Sequence, residues 1–434
     1  MNNNDTIFAL SSGHGKSGVA VIRISGDNLR DLFTRLLGRS NFDARRTYFT
    51  NLTDNAGDLI DQTILVFFAA PHSFTGTDVI EIYSHGAPAV INKIFDFLST
   101  TGARMATRGE FSRRAFLNGK MDLADIDGLA ALLDAQTERQ RRAALQSMTG
   151  RDSRIYDTWR AQMVEIAAYA AAILDYADDE LPTNIGEKIR DKTQNLYNEI
   201  DSAISRYAAS RAIRNGFNIT LAGNTNAGKS SLFNRLVGEN RAIVSDTPGT
   251  TRDVVSCTLD IDGYMVNISD TAGLRDTDDA IEQIGIQRTN DEIKNADLIL
   301  HVIDGQSSEF KVQSSNNEIT VVNKSDLCDC KNKSDAIYVS AKTGDGIDNL
   351  MIAIRKKIDE LVGASESQLT VNARTRVLLS DARTELRDAI TAGDNYDMFA
   401  EHVRRAADAI GKILGTISAA DVMDATFSQL CLGK

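Results

Sequence analysis

The sequence predicts a multidomain protein: an α+β N-terminal domain, an all-α helical domain, and an α/β P-loop domain of Ras-like topology inserted into the helical one. Three observations carry this reading. Residues 1–118 mix short β-branched runs with helical spacing, and residues 119–213 and 363–434 are helically periodic on both sides of the middle. Residues 214–362 alternate strand and helix and carry five nucleotide-binding motifs in one fixed order.

A chain of 434 residues is long enough for about two to four domains. With 42% apolar and 25% charged residues it belongs with ordinary globular proteins. No run approaches the roughly 20 apolar residues of a spanning helix, and residues 7–10 are too short for a signal-peptide core. The cysteines at 257, 328, 330 and 431 are few for this length, so reduced thiols and a cytoplasmic location are expected. A net charge of -12 argues against a protein that coats nucleic acid, because phosphate neutralisation needs a basic surface. One segment runs the other way: Arg104, Arg108, Arg113, Arg114 and Lys120 face Glu110 alone. It reads as a solvated helix face or as a phosphate-facing patch.

In the first domain, residues 19–24 and 78–83 are β-branched and closed by Gly26 and Gly86, so both are expected strands. Residues 91–98 have helical spacing. Further on, Trp159, Met163, Ile166, Ala170 and Ile173 form one helical stripe, and Ile189, Leu196, Ile200, Ala203 and Tyr207 another. The tail repeats the pattern at Phe399, Val403, Ala406, Ile410, Ile413 and Ile417, before a capping box at Ser418 and Asp421. Neither helical flank is clearly a whole domain, so one helical domain interrupted by the nucleotide domain is the economical reading. Within the insert, residues 217–222 form a strand leading into a glycine-rich loop and a helix over 229–237. Two alternating runs joined by Asp262-Gly263 make a hairpin with a favoured two-residue turn. Strands at 298–303, 319–322 and 337–339 complete a sheet with a single antiparallel member.

The motifs then assign chemistry. In Gly223-Asn-Thr-Asn-Ala-Gly228-Lys229-Ser230, glycines let backbone N–H groups converge on phosphate oxygens at a helix N-terminus. Asn226, Ala227, Gly228 and Ser231 are expected in this cradle, with Lys229 on the outer phosphates and Ser230 on magnesium. Thr251, in Gly249-Thr250-Thr251, is the second expected magnesium ligand, on a segment that a γ-phosphate would order. Ser245, Asp246, Thr247 and Pro248 precede it. Asp270 should hold magnesium through water, and Thr271, Ala272 and Gly273 follow, the last placed to sense the γ-phosphate. Asn323, Lys324 and Asp326 select guanine, since the Asp326 carboxylate accepts from N1–H and the 2-amino group, which adenine does not offer there. In Ser340-Ala341-Lys342, the Ala341 amide can donate to the guanine carbonyl. GTP is therefore expected rather than ATP. Leu274 stands where Ras-type enzymes carry a water-orienting Gln, so another group must orient water.

Sequence features from one end to the other resemble the MnmE (TrmE) family of tRNA modification GTPases. The matching residues are Asp5-Thr-Ile, Gly18-Val-Ala-Val-Ile-Arg-Ile-Ser-Gly26, Ser73-Phe-Thr-Gly76, Gly109-Glu-Phe-Ser112, Arg114-Ala-Phe-Leu-Asn118, Lys120 and the terminal Cys431-Leu-Gly-Lys434. The resemblance implies an N-terminal tetrahydrofolate-binding and dimerisation domain, a split helical domain and an inserted G domain. It implies that Arg23, Glu81, Lys120 and Lys434 bind a 5-formyl- or 5,10-methylene-tetrahydrofolate. It also implies that Glu282 orients water, and that Asn226, with Ser245, Thr247 and Thr250, holds a potassium ion standing in for an arginine finger. Glu282, Lys229 and Asn226 are then the catalytic set. The implied activity is GTP hydrolysis coupled to C5 modification of a tRNA wobble uridine, as a homodimer working with a flavin-dependent partner of the MnmG/GidA type that carries FAD and NADH. Departures are Thr225 where the family has proline, Leu430-Cys431-Leu432 for Phe-Cys-Ile, and a short segment between Asp304 and Ile319. Cys431 fits a prenylation box poorly, and a nucleophilic thiol and a buried structural cysteine both stay open. The alternative, an Era/EngA-like ribosome-assembly GTPase switch, predicts a basic RNA-binding module or a second P-loop. A membrane-remodelling GTPase would need a basic amphipathic anchor.

Overall fold

Period-two alternation organises the N-terminal residues into a six-stranded sheet of order β3-β4-β5-β2-β1-β6. Its strands are β1 (Ile7–Leu10), β2 (Ser17–Gly26), β3 (Thr47–Thr53), β4 (Leu59–Phe68), β5 (Asp78–Gly86) and β6 (Arg104–Met105). The computed structural model describes residues 5–175, 184–239, 241–242, 255–270, 294–307, 317–328, 336–362, 369–416 and 433. They group into two units, Met1–Ala130 with Met148–Ala161 and Ala407–Lys434, and Ala131–Ser147 with Gln162–Ala406.

In the first unit every strand pair is antiparallel except β1 with β6. Helices α1 (Arg30–Leu37) and α2 (Pro88–Ser99) join the sheet in one core, where Phe33 and Ile94 meet Phe8, Ile22, Ile24, Leu65, Phe67, Ile80 and Ile82. Each such side chain contributes about 1.5–3 kcal/mol on burial. A one-residue slip of β5 would exchange Ile80 and Ile82 for Glu81, so the register is fixed. The alternate residues Arg23, Glu81 and Tyr83 therefore occupy the opposite face. There α3 (Glu110–Leu117) packs Phe111 against Ile7, Ala9 and Ala106.

The predicted basic segment lies around α3, and the structure corrects both readings of it at Arg114. That side chain is buried and donates to the Ser25 carbonyl at 3.2 Å. Arg104 pairs with Glu110 at 2.6 Å and with Asp5 at 3.1 Å. Burial works to raise the Glu110 pKa, but the Arg104 hydrogen bond and Thr107 amide hold it below the usual carboxylate value. Arg104 and Arg114 are thus engaged within the domain, while Arg108 and Lys120 of the same segment are exposed.

Helices α4 (Leu123–Asp134), α5 (Glu138–Met148), α6 (Arg151–Asp175), α7 (Ile185–Ser205) and α8 (Tyr207–Asn215) follow. The predicted stripe on α6 is buried at Trp159, Met163, Ile166 and Ala170. The second stripe is broken: α7 stops at Arg206, whose backbone leaves the helical region (φ -85, ψ 3), and Tyr207 opens α8 half-buried.

The second unit contains the α/β domain: β7 (Phe217–Ala222), α9 (Lys229–Glu239), β8 (Arg241–Ala242), β9 (Val255–Ile261), β10 (Tyr264–Asp270), β11 (Leu298–Asp304), β12 (Glu318–Asn323), β13 (Ala336–Tyr338) and α10 (Ile347–Val362). Its sheet order is β13-β12-β11-β7-β10-β9-β8, with β9 alone running against the rest. Asp262 and Gly263, both at positive φ (52 and 84), make the tight β9–β10 turn. This is the Ras-like arrangement expected from the sequence. Helix α11 (Ala373–Ala392) belongs to this unit, and α12 (Tyr396–Leu414) begins in it. α11 packs on α7, with Arg383 donating to Asp201 at 2.8 Å, so helices from both sides of the inserted sheet meet.

The hairpin turn is held from outside the sheet. The Arg139 guanidinium lies 3.8 Å from the Tyr264 ring centroid. Gln140 Nε2 donates to Met265 Sδ at 3.1 Å and also to the Arg214 carbonyl of α8 at 2.8 Å, and Tyr264 donates to Asp359 at 2.9 Å. Arg355 reaches Asp262 at 2.7 Å. Among the described residues no helix is long and apolar enough to cross a membrane.

Candidate functional site

The glycine-rich loop leaves the end of β7 beside β11. At Gly223 (φ 140) a Cβ would stand 2.1 Å from the Val302 carbonyl oxygen, so only glycine fits this approach. The loop then turns through Asn226 (φ 65) and Gly228 (φ 87) into the first turn of α9. Lys229 is buried, and its Nζ donates to the Gly223 and Asn224 carbonyls at 2.7 and 2.9 Å. Burial pushes its pKa below the usual lysine value, with Asp270 opposing. Ser230 Oγ donates to Asp270 Oδ2 at 2.7 Å. A hydroxyl and a buried carboxylate so close are a pair of hard oxygen donors, the set magnesium takes, so these residues fit that ion. Ser231 is exposed on α9.

The base-side motifs converge from β12 and β13. Asn323 is buried, and its Nδ2 donates to the Ala227 carbonyl at 3.0 Å. Its Oδ1 accepts from the Ala341 amide at 3.0 Å, so the amide expected to meet a guanine carbonyl is engaged here with Asn323. Asp326 is exposed, and its Oδ1 accepts from Ser340 Oγ at 2.7 Å. Lys342 is exposed. Lys324, at φ 62, sends its ammonium to Asp304 Oδ2 at 2.6 Å. The sequence reading missed Asp304; its signal was a carboxylate ending the strand that pairs with the Asn323 strand.

The other expected nucleotide residues, Ser245, Asp246, Thr247, Pro248, Gly249, Thr250, Thr251, Thr271, Ala272, Gly273 and Glu282, lie outside the described residues. So do Leu274, Ile417, the capping box at Ser418 and Asp421, Cys330, Cys431 and Lys434.

A second polar cluster occupies the open face of the N-terminal sheet. Arg23 and Glu81 are cross-strand partners, with Arg23 Nε and Nη2 donating to Glu81 Oε1 at 3.0 and 2.9 Å. Tyr83 donates to Glu81 Oε2 at 2.7 Å; that bond, then burial, push the Tyr83 pKa up to about 12. The guanidinium lies over the Phe74 ring, 5.2 Å from its centroid. The Gly433 carbonyl accepts from Ser11 Oγ at 2.9 Å and Arg23 Nη1 at 3.3 Å, so the penultimate residue sits at this cluster. Lys120 is exposed beside Gly76, where an added Cβ would come 3.3 Å from Lys120 Cε, and Asn118 Nδ2 holds the Thr75 carbonyl at 2.7 Å. Arg23 and Glu81 thus meet directly, while Lys120 belongs to the adjoining loop. Tyr83 and Ser11 were not anticipated.

A mostly parallel sheet with one reversed strand, a glycine loop entering a helix, and an Asn-Lys-x-Asp element beside it define a P-loop nucleotide-binding protein of the Ras-like kind. Residues 6–120 match the family described as GTP-binding protein TrmE N-terminus, and residues 123–431 match the MnmE helical domain. The chain is 40% identical over 439 residues to a tRNA modification GTPase MnmE of Bartonella henselae, covering 99% of this chain and 100% of that one. Proteins of the same description from Granulibacter bethesdensis and Agrobacterium fabrum are 38% and 39% identical, each across 99% of both chains. The chain belongs to the MnmE (TrmE) family.

Proposed function

We propose that this protein is a potassium-dependent GTPase that acts, with a flavin-dependent partner, in adding an aminomethyl-type group at C5 of a tRNA wobble uridine, using a tetrahydrofolate one-carbon unit. The single observation that carries the reading is end-to-end similarity, 99% of this chain, to proteins named tRNA modification GTPases. Residues 1–118 are assigned folate binding and dimerisation, 119–213 and 363–434 the split helical domain, and 214–362 the G domain, in a cytoplasmic homodimer. The outer face of the N-terminal sheet supports dimerisation: exposed Phe49 pairs across strands with exposed Ile64, which pairs with Tyr83.

At the nucleotide, Lys229 exchanges its own loop carbonyls for phosphate oxygens, and α9 presents its N-terminal amides to the anion. Ser230 with Thr251, backed by Asp270, would hold magnesium, which supplies charge neutralisation at the β- and γ-phosphates. Asp326 selects guanine by edge hydrogen bonds, and Glu282 orients water in place of the Gln that Leu274 displaces. Asn226, with Ser245, Thr247 and Thr250, is assigned the potassium ion. At the N-terminal site, Arg23 and Lys120 suit folate carboxylates, Glu81 its aminopyrimidine edge, and Lys434 reaches it from the tail.

Three measurements test this. GTP turnover in potassium should exceed that in sodium by about a hundredfold, the scale of one well-placed transition-state charge; equal rates would remove the ion. Glu282→Ala should keep GTP affinity and lose about 10²–10⁴ in turnover. Nucleoside analysis of tRNA from cells lacking the protein should find the wobble modification missing, and its persistence sinks the tRNA assignment.

A further inference from the structure

We propose that Asp304 is a positioning residue for guanine recognition, acting through Lys324; this rests on the guanine reading above. Asp304 ends β11 in register with Asn323, the last residue of β12. Its two oxygens have separate duties. Oδ1 accepts from the Gln306 amide at 3.0 Å and shapes the turn, while Oδ2 takes the Lys324 ammonium at 2.6 Å. The hydrogen bond from Lys324 holds the Asp304 carboxyl below its usual pKa, so it is charged at neutral pH.

Lys324 is thereby fixed at both ends. Its main chain follows Asn323, which is tied to Ala227 and Ala341, and leaves at a left-handed φ of 62 that aims it away from the strand path. Its head is held across the sheet by Asp304. A lysine left to itself samples many rotamers; stretched between two strand ends, its methylene stem becomes a short apolar rail beside Asp326. A purine read along its edge by Asp326 packs its flat face on such a rail. The two side chains are 32% and 24% exposed, so the pair is partly withdrawn from solvent.

The test uses the full-length protein and N-methylanthraniloyl-GDP, with binding and release followed by fluorescence. Asp304→Asn retains Oδ1 for the Gln306 amide and removes the charge. It should weaken binding about fivefold, mainly through faster release. Lys324→Met keeps the stem and deletes the ammonium. In that background Asp304→Asn should change affinity by less than about 1.5-fold, because the path through Lys324 is already gone. Equal losses in both backgrounds mean that Asp304 serves only the turn, and no loss in either means that it serves nothing here; each overturns the proposal. Wild-type protein that holds ADP as tightly as GDP overturns the guanine reading itself.

Discussion

Tyr83 and Gly433 carry the clearest consequences for single residues. The Tyr83 phenol is held by Glu81, and its pKa is raised from 10.0 to about 12. The sign follows from linkage: the protonated phenol stabilises the fold fully below the unfolded value and loses that contribution as pH rises through about 12. Absorbance titrations of wild type and Tyr83→Phe should therefore coincide near pH 10 and separate only close to 12; separation at 10 would make Tyr83 an ordinary phenol. Gly433 has φ 93, and a Cβ there would stand 2.3 Å from the Leu10 carbonyl oxygen. Gly433→Ala should displace the tail from Ser11 and Arg23, weakening formyl-tetrahydrofolate binding about tenfold, the worth of one lost charge-assisted hydrogen bond. Calorimetry reads it, and unchanged affinity would separate Gly433 from the proposed folate site.

Among elements, α11 shows how local chemistry sets a boundary. Asn372 accepts from the Thr375 amide at 2.8 Å while Thr375 Oγ1 accepts from the Asn372 amide at 2.8 Å, a reciprocal cap. Asn372→Ala should cost about 1 kcal/mol in chemical denaturation, and Asn372→Ser much less. Strands β2 and β5 were legible because one buried face imposes strict alternation, and the glycine loop because its residue types are tied to phosphate geometry. Less was legible where contacts are non-local. Nothing in the spacing of Ile189 to Tyr207 announces the break at Arg206. Asp304, Tyr83 and Ser11 owe their placing to strand register and the tail, which no local pattern encodes. Arg23 and Glu81 were singled out by the family resemblance alone, and it is the strand register that pairs them.

At the scale of the whole molecule, helix α8, which begins before residue 214, packs into the core of the α/β sheet. Ala212 on α8 shares its core with Phe217, Ile354 and Val362. A fragment spanning 206–362 should melt several degrees above one spanning 214–362, since about 1 kcal/mol shifts such a domain by roughly 2–8 °C; equal melting temperatures would free α8 from that core. The β9–β10 ribbon also acquires a mechanical meaning. One end of β10 is Asp270, hydrogen-bonded to Ser230; the other is the turn gripped by Arg139, Gln140, Arg355 and Asp359. Seven residues of strand make a rod of about 23 Å that neither stretches nor buckles easily. The same strand thus touches the phosphate loop at one end and, through Tyr264 and Arg139, the helix α5 at the other.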